Sequence, residues 1–230
     1  MKTVAIIPAR GGSKGIKNKN IIEVAGKPLV VWSIEQALQS KSIEAVFVTT
    51  DDEKIAEISE KAGAKVIKRP EELSLDTATS EAALLHAINV IEEDLQIDFE
   101  IVVFLQATSP VRESLDIDHA FEKFNRENLD SLFSCCKVED RFVWEKQGED
   151  YQSITYDYRN RQRRQDIKPR FLENGSIYIF KKDILRQTSN RLGGKIGIYE
   201  MPFWKSFQID KEEDIDICEY YLNRLCQKNG

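Results

Sequence analysis

Between residues 6 and 20 the chain reads IIPARGGSKGIKNKN, a stretch that gathers groups able to hold a phosphate. Arg10, Lys14, Lys17 and Lys19 fall within ten residues, with Gly11, Gly12 and Ser13 among them. The apolar run Val4-Ala5-Ile6-Ile7 comes just before, so this loop leaves a buried strand. Two glycines allow a sharp exit that presents backbone N–H groups. Ser13 adds a hydroxyl, and Arg10, Lys14 and Lys19 add charge-assisted donors for phosphate oxygens. The spacing is not that of a Walker loop, which ends in Gly-Lys-Ser/Thr, and the G-x-G-x-x-G dinucleotide fingerprint is absent. An ordinary strand-to-helix turn with surface lysines has a similar composition. Several phosphate-competent groups at one strand end favour the binding loop.

A second basic cluster, RNRQRR at 159–164, stands with the first on an acidic chain of net charge -6 and pI ≈ 5.2. Local positive charge on an acidic background points to a small anionic ligand, and away from nucleic acid or an acidic membrane as the main partner. At 230 residues the chain supports one buried α/β core carrying an insertion, with 41% hydrophobic and 31% charged residues. No apolar run approaches the ~20 residues that span a bilayer, and Arg10 comes too early for a signal peptide, so the expectation is a cytoplasmic protein. Cys135, Cys136, Cys218 and Cys226 lack C-x-x-C spacing and are expected to be buried thiols. His86 and His119 lie in helical patterns and read as packing or surface residues.

The elements that must position the loop follow from alternation. Short β-branched runs at 4–9, 45–50, 65–67, 101–106 and 131–138 alternate with helical patterns at 28–38, 53–63, 80–94 and 115–128. That order predicts parallel strands joined by crossover helices. The runs at 4–9 and 101–106 are almost wholly apolar, as central strands covered on both faces must be. Their carboxyl ends carry Arg10 and Gln106-Thr108, and ligands bind open α/β sheets at that edge. Asp51, after the run at 45–50, could face a ligand, but a helix cap is the expected role. From Glu139 to Arg170 the period is lost. Phe142, Trp144, Tyr151, Tyr156 and Tyr158 there are too many aromatics for a solvated loop, and are expected to bury against the core or a second subunit. Strands return at 176–180 and, as an edge, at 195–201, followed by an amphipathic helix over 212–225.

Taken together, IIPARGGSKGIKNKNI, TTDDEKIAEISEKAGA, RPEELSLDTATSEAALLHAI, FLQATSPVR, RRQD, ENGSIYIF and FQIDKEEDI resemble, in order and over nearly the whole chain, the CMP-sialic acid synthetases, or acylneuraminate cytidylyltransferases. The resemblance implies a three-layer α/β/α Rossmann-like nucleotidyltransferase fold over 1–230, its central sheet mostly parallel, with 139–170 as an inserted dimerisation and substrate arm. It also implies transfer of CMP from CTP to the anomeric hydroxyl of a nonulosonic acid, with Mg2+ as cofactor and a homodimer as the assembly.

Carried over residue by residue, the resemblance assigns Arg10, Gly11, Gly12, Ser13, Lys14, Lys19 and Asn20 to the nucleotide phosphates. Arg10 and Lys19 would also stabilise charge in the transition state. Arg69 and Ser80 would meet the cytosine, at a helix start that Thr79 or Ser80 could cap. Gln106, Arg164, Gln165, Asn174, Gly175 and Tyr178 would meet the sugar acid, Arg164 by the two-pronged pairing of a guanidinium with a carboxylate. Asp210 is the metal candidate, since magnesium takes oxygen ligands, although as a plain sequence it reads as the cap of the last helix. Three departures stand out. Gln208 replaces the first acid of a family Asp-Ile-Asp, Leu172-Glu173 replaces an arginine before Asn174-Gly175, and RFVWEK lacks a His-Pro-x-Lys text. They leave open which sugar is used: sialic acid, legionaminate, a deaminated nonulosonate or an octulosonate. A non-catalytic nucleotide-binding regulatory protein is the reading from another class.

Overall fold

The computed structural model describes residues 2–13, 15–138 and 142–229. The chain order is β1 (Thr3–Pro8), β2 (Glu23–Val24), β3 (Lys27–Pro28), α1 (Leu29–Gln39), β4 (Ala45–Thr50), α2 (Glu53–Lys61), β5 (Lys65–Lys68) and α3 (Ser80–Asn89). It continues with β6 (Ile101–Leu105), α4 (Ser114–Arg126), β7 (Ser131–Val138), β8 (Trp144–Gln147), β9 (Asp150–Ser153), β10 (Arg170–Lys181), α5 (Lys182–Thr188), β11 (Ile196–Glu200) and α6 (Glu213–Asn229). Seven strands form one sheet in the order β11-β7-β10-β6-β1-β4-β5. Every pair is parallel except those of β10, which runs antiparallel between β6 and β7. The expected mostly parallel sheet is therefore present, with β11 at its edge.

Period-two alternation sends each strand's side chains into two different cores. Ala5 and Ile7 of β1 join Val30, Ile34, Ile55, Ile117 and Phe124 from α1, α2 and α4 on one face. Val4 and Ile6 join Leu84, Ile88 and Leu185 from α3 and α5 on the other. A third cluster seats α6, through Cys218, Leu222 and Leu225, on Val24, Leu29 and Trp32. The expected helix over 80–94 is α3 followed by a wider π turn, Val90–Asp94. Three cysteines are buried as expected, but Cys226 is exposed, because α6 rests on the core through Leu222 and Leu225 and turns Cys226 to solvent.

The segment after β7 differs from the expectation of an irregular insertion. β8 and β9 pair as a hairpin through a turn at Gly148, whose φ is +64°. Its aromatics pack largely on one another: Phe142 and Tyr156 lie 4.2 Å apart, and Trp144 and Tyr158 5.2 Å apart. Trp144, Tyr151 and Tyr158 stay exposed, so the chain's own core does not take them.

The loop between β6 and α4 is fixed by Arg112, a buried arginine. Its Nη1 donates to the carbonyls of Ser109 at 2.6 Å, Ser176 at 3.2 Å and Gln106 at 3.3 Å, and its Nη2 to Ser33 Oγ and again to Gln106 O. Gln36 donates to the carbonyls of Pro110 and Arg112, both at 2.8 Å. Across the sheet, β10 bulges against β7 between Glu173 and Tyr178, and Asn174 fills the bulge by accepting from Ser134 Oγ at 2.6 Å. Replacing Arg112 by methionine removes the donors it supplies to the carbonyls of Ser109, Ser176 and Gln106 inside the fold, so it is expected to cost about 3 kcal/mol of stability, while Arg112→Lys, without the fork, should cost less. Urea denaturation followed by circular dichroism reads this directly. An unchanged midpoint for Arg112→Met contradicts the assignment.

Candidate active site

Strand β1 makes its last ladder bond from Ala9 N to Thr49 O, at 3.0 Å, and the chain then turns away at Arg10. Gly11 is required there by its neighbours, since a Cβ would sit 2.7 Å from Asp52 Oδ2. Its N–H donates to Asp51 Oδ1 at 3.2 Å and is thus already engaged, while Gly12 has open space around it. Gly15 packs against the carbonyl of Asp210 too tightly for any side chain. Asn20 is buried and donates to Arg10 O at 2.9 Å, so it braces the loop from beneath.

This turn forms one wall of a cleft of about 540 Å³ at the carboxyl ends of β1 and β6. Of the residues predicted from sequence, Arg10, Ser13, Lys19, Asn20, Arg69, Ser80, Gln106 and Asp210 line it together. Lys14 and the Arg164 side chain lie outside the described residues. Asn174, Gly175 and Tyr178 stand behind the lining: Gly175, at φ +65°, lies against the amides of Gln106 and Gln208, and Tyr178 stacks on the cleft-lining Phe104 at 5.3 Å. Gln165 belongs to the short helical turn Arg164–Asp166 in the arm, and none of the described arm residues lines this cleft.

Each of three cations in the cleft rests on a carboxylate. Arg10 Nη2 is 3.0 Å from Asp76, Lys19 Nζ is 2.8 Å from Asp210, and Arg69 Nη2 is 3.6 Å from Asp51. Arg69 is buried, and its Nε and Nη2 have no hydrogen-bond partner. Burial pushes its pKa down, with the Asp51 carboxylate opposing the shift. A buried donor without an acceptor is costly, and it is satisfied when a ligand supplies the acceptor.

Two capping expectations are corrected. Asp52, not Asp51, caps α2, accepting from Lys54 N at 2.8 Å and Ile55 N at 3.0 Å, because the cap is the residue just before the first helical one. Asp51 instead faces Gly11 and Arg69. At α6 the carboxylate of Asp214, within the helix's first turn, accepts from the N–H groups of Asp210 and Lys211 at 2.9 and 2.8 Å. Asp210 is thereby left free to meet Lys19. At α3, Thr79 is the cap, accepting from Ala82 N at 3.1 Å, and Ser80 turns to the cleft. Gln208 donates through Nε2 to Asn174 O at 2.8 Å, a bond that an aspartate could not make. Sequence reasoning missed Asp76 and the supporting Arg112. Asp76 carries no signal of spacing, whereas Arg112 stands in the quoted FLQATSPVR, where an arginine directly after a buried strand and turn was a cue.

The sequence matches the cytidylyltransferase family over residues 4–229. Among similar proteins, the post-translational flagellin modification protein B of Campylobacter coli is 34% identical over 229 residues, covering 94% of this chain and 93% of the relative. The N-acylneuraminate cytidylyltransferase of Escherichia coli O18:K1:H7 is 34% identical, covering 94% of this chain and 51% of the relative, and N-acylneuraminate cytidylyltransferase A of Danio rerio is 37% identical, with 96% and 51% covered. The chain spans about half the length of these N-acylneuraminate cytidylyltransferases. In fold it is similar to a CMP:2-keto-3-deoxy-manno-octonic acid synthetase solved with CTP, with a TM-score of 0.73 at 18% identity over 98% of this chain and 100% of that one. The 4-diphosphocytidyl-2C-methyl-D-erythritol synthase of Anaerococcus prevotii gives a TM-score of 0.66 at 14% identity, with 97% and 96% covered. With the α/β sheet, the cationic cleft at its strand ends and a family match over almost every residue, the chain belongs to the cytidylyltransferase family of nucleotidyltransferases.

Proposed function

We propose that this protein transfers a cytidylyl group from CTP to the anomeric hydroxyl of a sialic acid-like nonulosonic acid. The observation that carries the reading is the convergence of Arg10, Lys19 and Arg69 on one cleft of an otherwise acidic chain. Arg10, Ser13 and Lys19, with Lys14 beside them, bind the phosphates, Arg10 and Lys19 exchanging Asp76 and Asp210 for phosphate oxygens. Arg69 supplies its unsatisfied donors to the cytosine edge near Ser80, and Gln106 meets the sugar acid, backed by Asn174, Gly175 and Tyr178.

The hydroxyl oxygen attacks the α-phosphorus in line. A new P–O bond forms, the bond to the bridging oxygen breaks, pyrophosphate departs with that electron pair, and the hydroxyl proton passes to solvent. Catalysis is then positioning plus charge stabilisation, without a covalent intermediate. Among the described residues no group of three metal-ligating side chains occurs. The Asp210 side chain is 65% exposed in the cleft, and one carboxylate with phosphate oxygens and waters suits magnesium. The residues therefore fit a nucleotide-borne Mg2+, which Asp210 would hold and which, when bound, offsets charge on the leaving group.

The exposed aromatics of the arm favour a homodimer whose arm brings Arg164 and Gln165 to the partner's cleft. Among the described residues no helix is long and apolar enough to cross a membrane, and the cytoplasm is the compartment that goes with this reading. The departures at Gln208 and Leu172-Glu173 keep legionaminate and deaminated nonulosonates beside sialic acid as acceptors, with octulosonate as the shorter-chain alternative.

Pyrophosphate release from CTP, with magnesium and those four sugar acids, is the direct test. Wild type active with none of them points to a nucleotide-binding regulatory protein instead. Arg10→Ala and Lys19→Ala should each lower kcat/KM by about a hundredfold or more, as expected for lost transition-state donors. Asp210→Asn should shift a magnesium titration to higher concentration, and a superimposable titration means that the ligand lies elsewhere. Mixing Arg164→Ala with Arg10→Ala protein should regain part of the activity through hybrid dimers. A monomer in sedimentation, or hybrids without regained turnover, rules out the shared site.

A further inference from the structure

Beside the cleft, against its lining residues Phe104 and Ser80, lies a polar network whose Arg191, Glu81 and Glu173 the reaction scheme leaves unused. The Arg191 guanidinium, presented by the turn between α5 and β11, lies over two stacked rings, 4.4 Å from the Tyr178 centroid and 5.3 Å from that of Phe104. Its Nη1 donates to Glu81 Oε1 at 2.8 Å, one residue beyond the cleft-lining Ser80. Tyr178 Oη donates to the exposed Glu173 at the other end of the β10 bulge. Burial and the Glu173 carboxylate both raise the phenol's pKa, so it stays a donor.

The position of this network selects its ligand. In the sheet order β10-β6-β1 the phosphate loop follows β1, and Arg191 sits nearer the β10 ring than the β6 ring. It therefore stands two strands from the phosphates, on the side where Gln106, Gly175 and Gln208 meet. A nucleotide seated on Arg10 and Lys19 leaves that end to the second substrate. One guanidinium, paired with Glu81, shares Tyr178 with the second carboxylate, Glu173, so the network holds more negative than positive charge and disfavours a further carboxylate while offering both donors and acceptors to hydroxyls and amides. The Arg191 side chain keeps 18% of its surface exposed. A partly desolvated ion pair gives little net stability over an apolar pair of the same volume, so covering the rings does not by itself require an arginine.

We propose that Arg191, set by Glu81 and by stacking on Tyr178, recognises neutral polar substituents of the sugar acid, its hydroxyl or acylamino groups, and so determines which sugar acid is accepted. The inference rests on the cytidylyl-transfer reading, and it puts the sugar's carboxylate elsewhere in the cleft.

The test is steady-state kinetics of wild type, Arg191→Leu, Arg191→Lys and Glu81→Gln with sialic acid and a deaminated nonulosonate, together with calorimetric CTP binding. Arg191→Leu should raise KM for the preferred sugar acid by about tenfold, the worth of a charge-assisted hydrogen bond, and bring the kcat/KM values of the two acids together. CTP affinity should stay at the wild-type value, and Arg191→Lys should recover part of the preference. A lower melting temperature with unchanged sugar KM and preference overturns the proposal, as does a parallel loss for both acids and for CTP. Should Arg191→Leu not fold, Arg191→Lys and Glu81→Gln carry the same comparison, and wild-type preference in both overturns it. A wild type that releases no pyrophosphate with any sugar acid defeats the transferase reading and this inference with it, whereas normal turnover with unchanged preference in the variants defeats this inference alone.

Discussion

One buried guanidinium holds the cleft in register. Arg112 has no carboxylate in hydrogen-bond contact, and it bonds to the carbonyls of Gln106, Ser109 and Ser176 and to the hydroxyls of Ser33 and Ser176. Burial pushes its pKa down to about 9, so it still carries its charge at neutral pH. A charge kept in such a place needs dipoles around it; here both terminal nitrogens are met by carbonyls and hydroxyls, while Nε has no partner, and the backbone conformations that supply those dipoles are thereby fixed together. The carbonyl of Gln106 is pinned to α1 and β10 at once, and its side chain is left to face the cleft. The antiparallel strand β10, the β6 loop and α1 share this single tie.

The cleft itself is organised by a balance of charge. Arg10, Lys19 and Arg69 each lie on an aspartate, so like charges are brought close without mutual repulsion deciding the loop conformation. The three aspartates come from distant segments: Asp51 after β4, Asp76 before α3 and Asp210 before α6. Each ion pair therefore also positions a segment of chain. Exchange of the Arg10–Asp76 and Lys19–Asp210 pairs, which reach solvent, for an anion costs little, because pairs in contact with water hold only modest net energy.

Much of this was legible in the sequence because it rests on local rules. The strands at 45–50 and 131–138 have the bounds that their β-branched runs suggest, and helix and strand alternate as the apolar periods require. Arg10 and Gln106 line the cleft at the strand ends, since polar residues following apolar strands have nowhere else to go, whereas Asp210, a helix cap by local pattern, meets Lys19 there instead. What stayed illegible depends on contacts distant in sequence. In TTDDE either aspartate could cap, and only the approach of Gly11 and Arg69 distinguishes Asp51. Asp76 meets Arg10 across 66 residues, a pairing that no local pattern encodes. The hairpin of β8 and β9 was hidden because both faces are solvated, so the apolar alternation that marks a strand is missing.

The antiparallel course of β10 has a consequence for how this architecture tolerates change. Because β10 pairs with β7, the arm between them is the tip of a long hairpin whose base is closed by Arg170 opposite Val138. Segments that start and finish on paired neighbouring strands are cheap to resize: in chain entropy, doubling such a loop costs only about 0.6 kcal/mol. The tip can therefore lengthen, shorten or change its surface while Arg112 and the sheet beneath keep their geometry. The arm's surface is thereby free to diverge at a rate that the cleft at the strand ends cannot share.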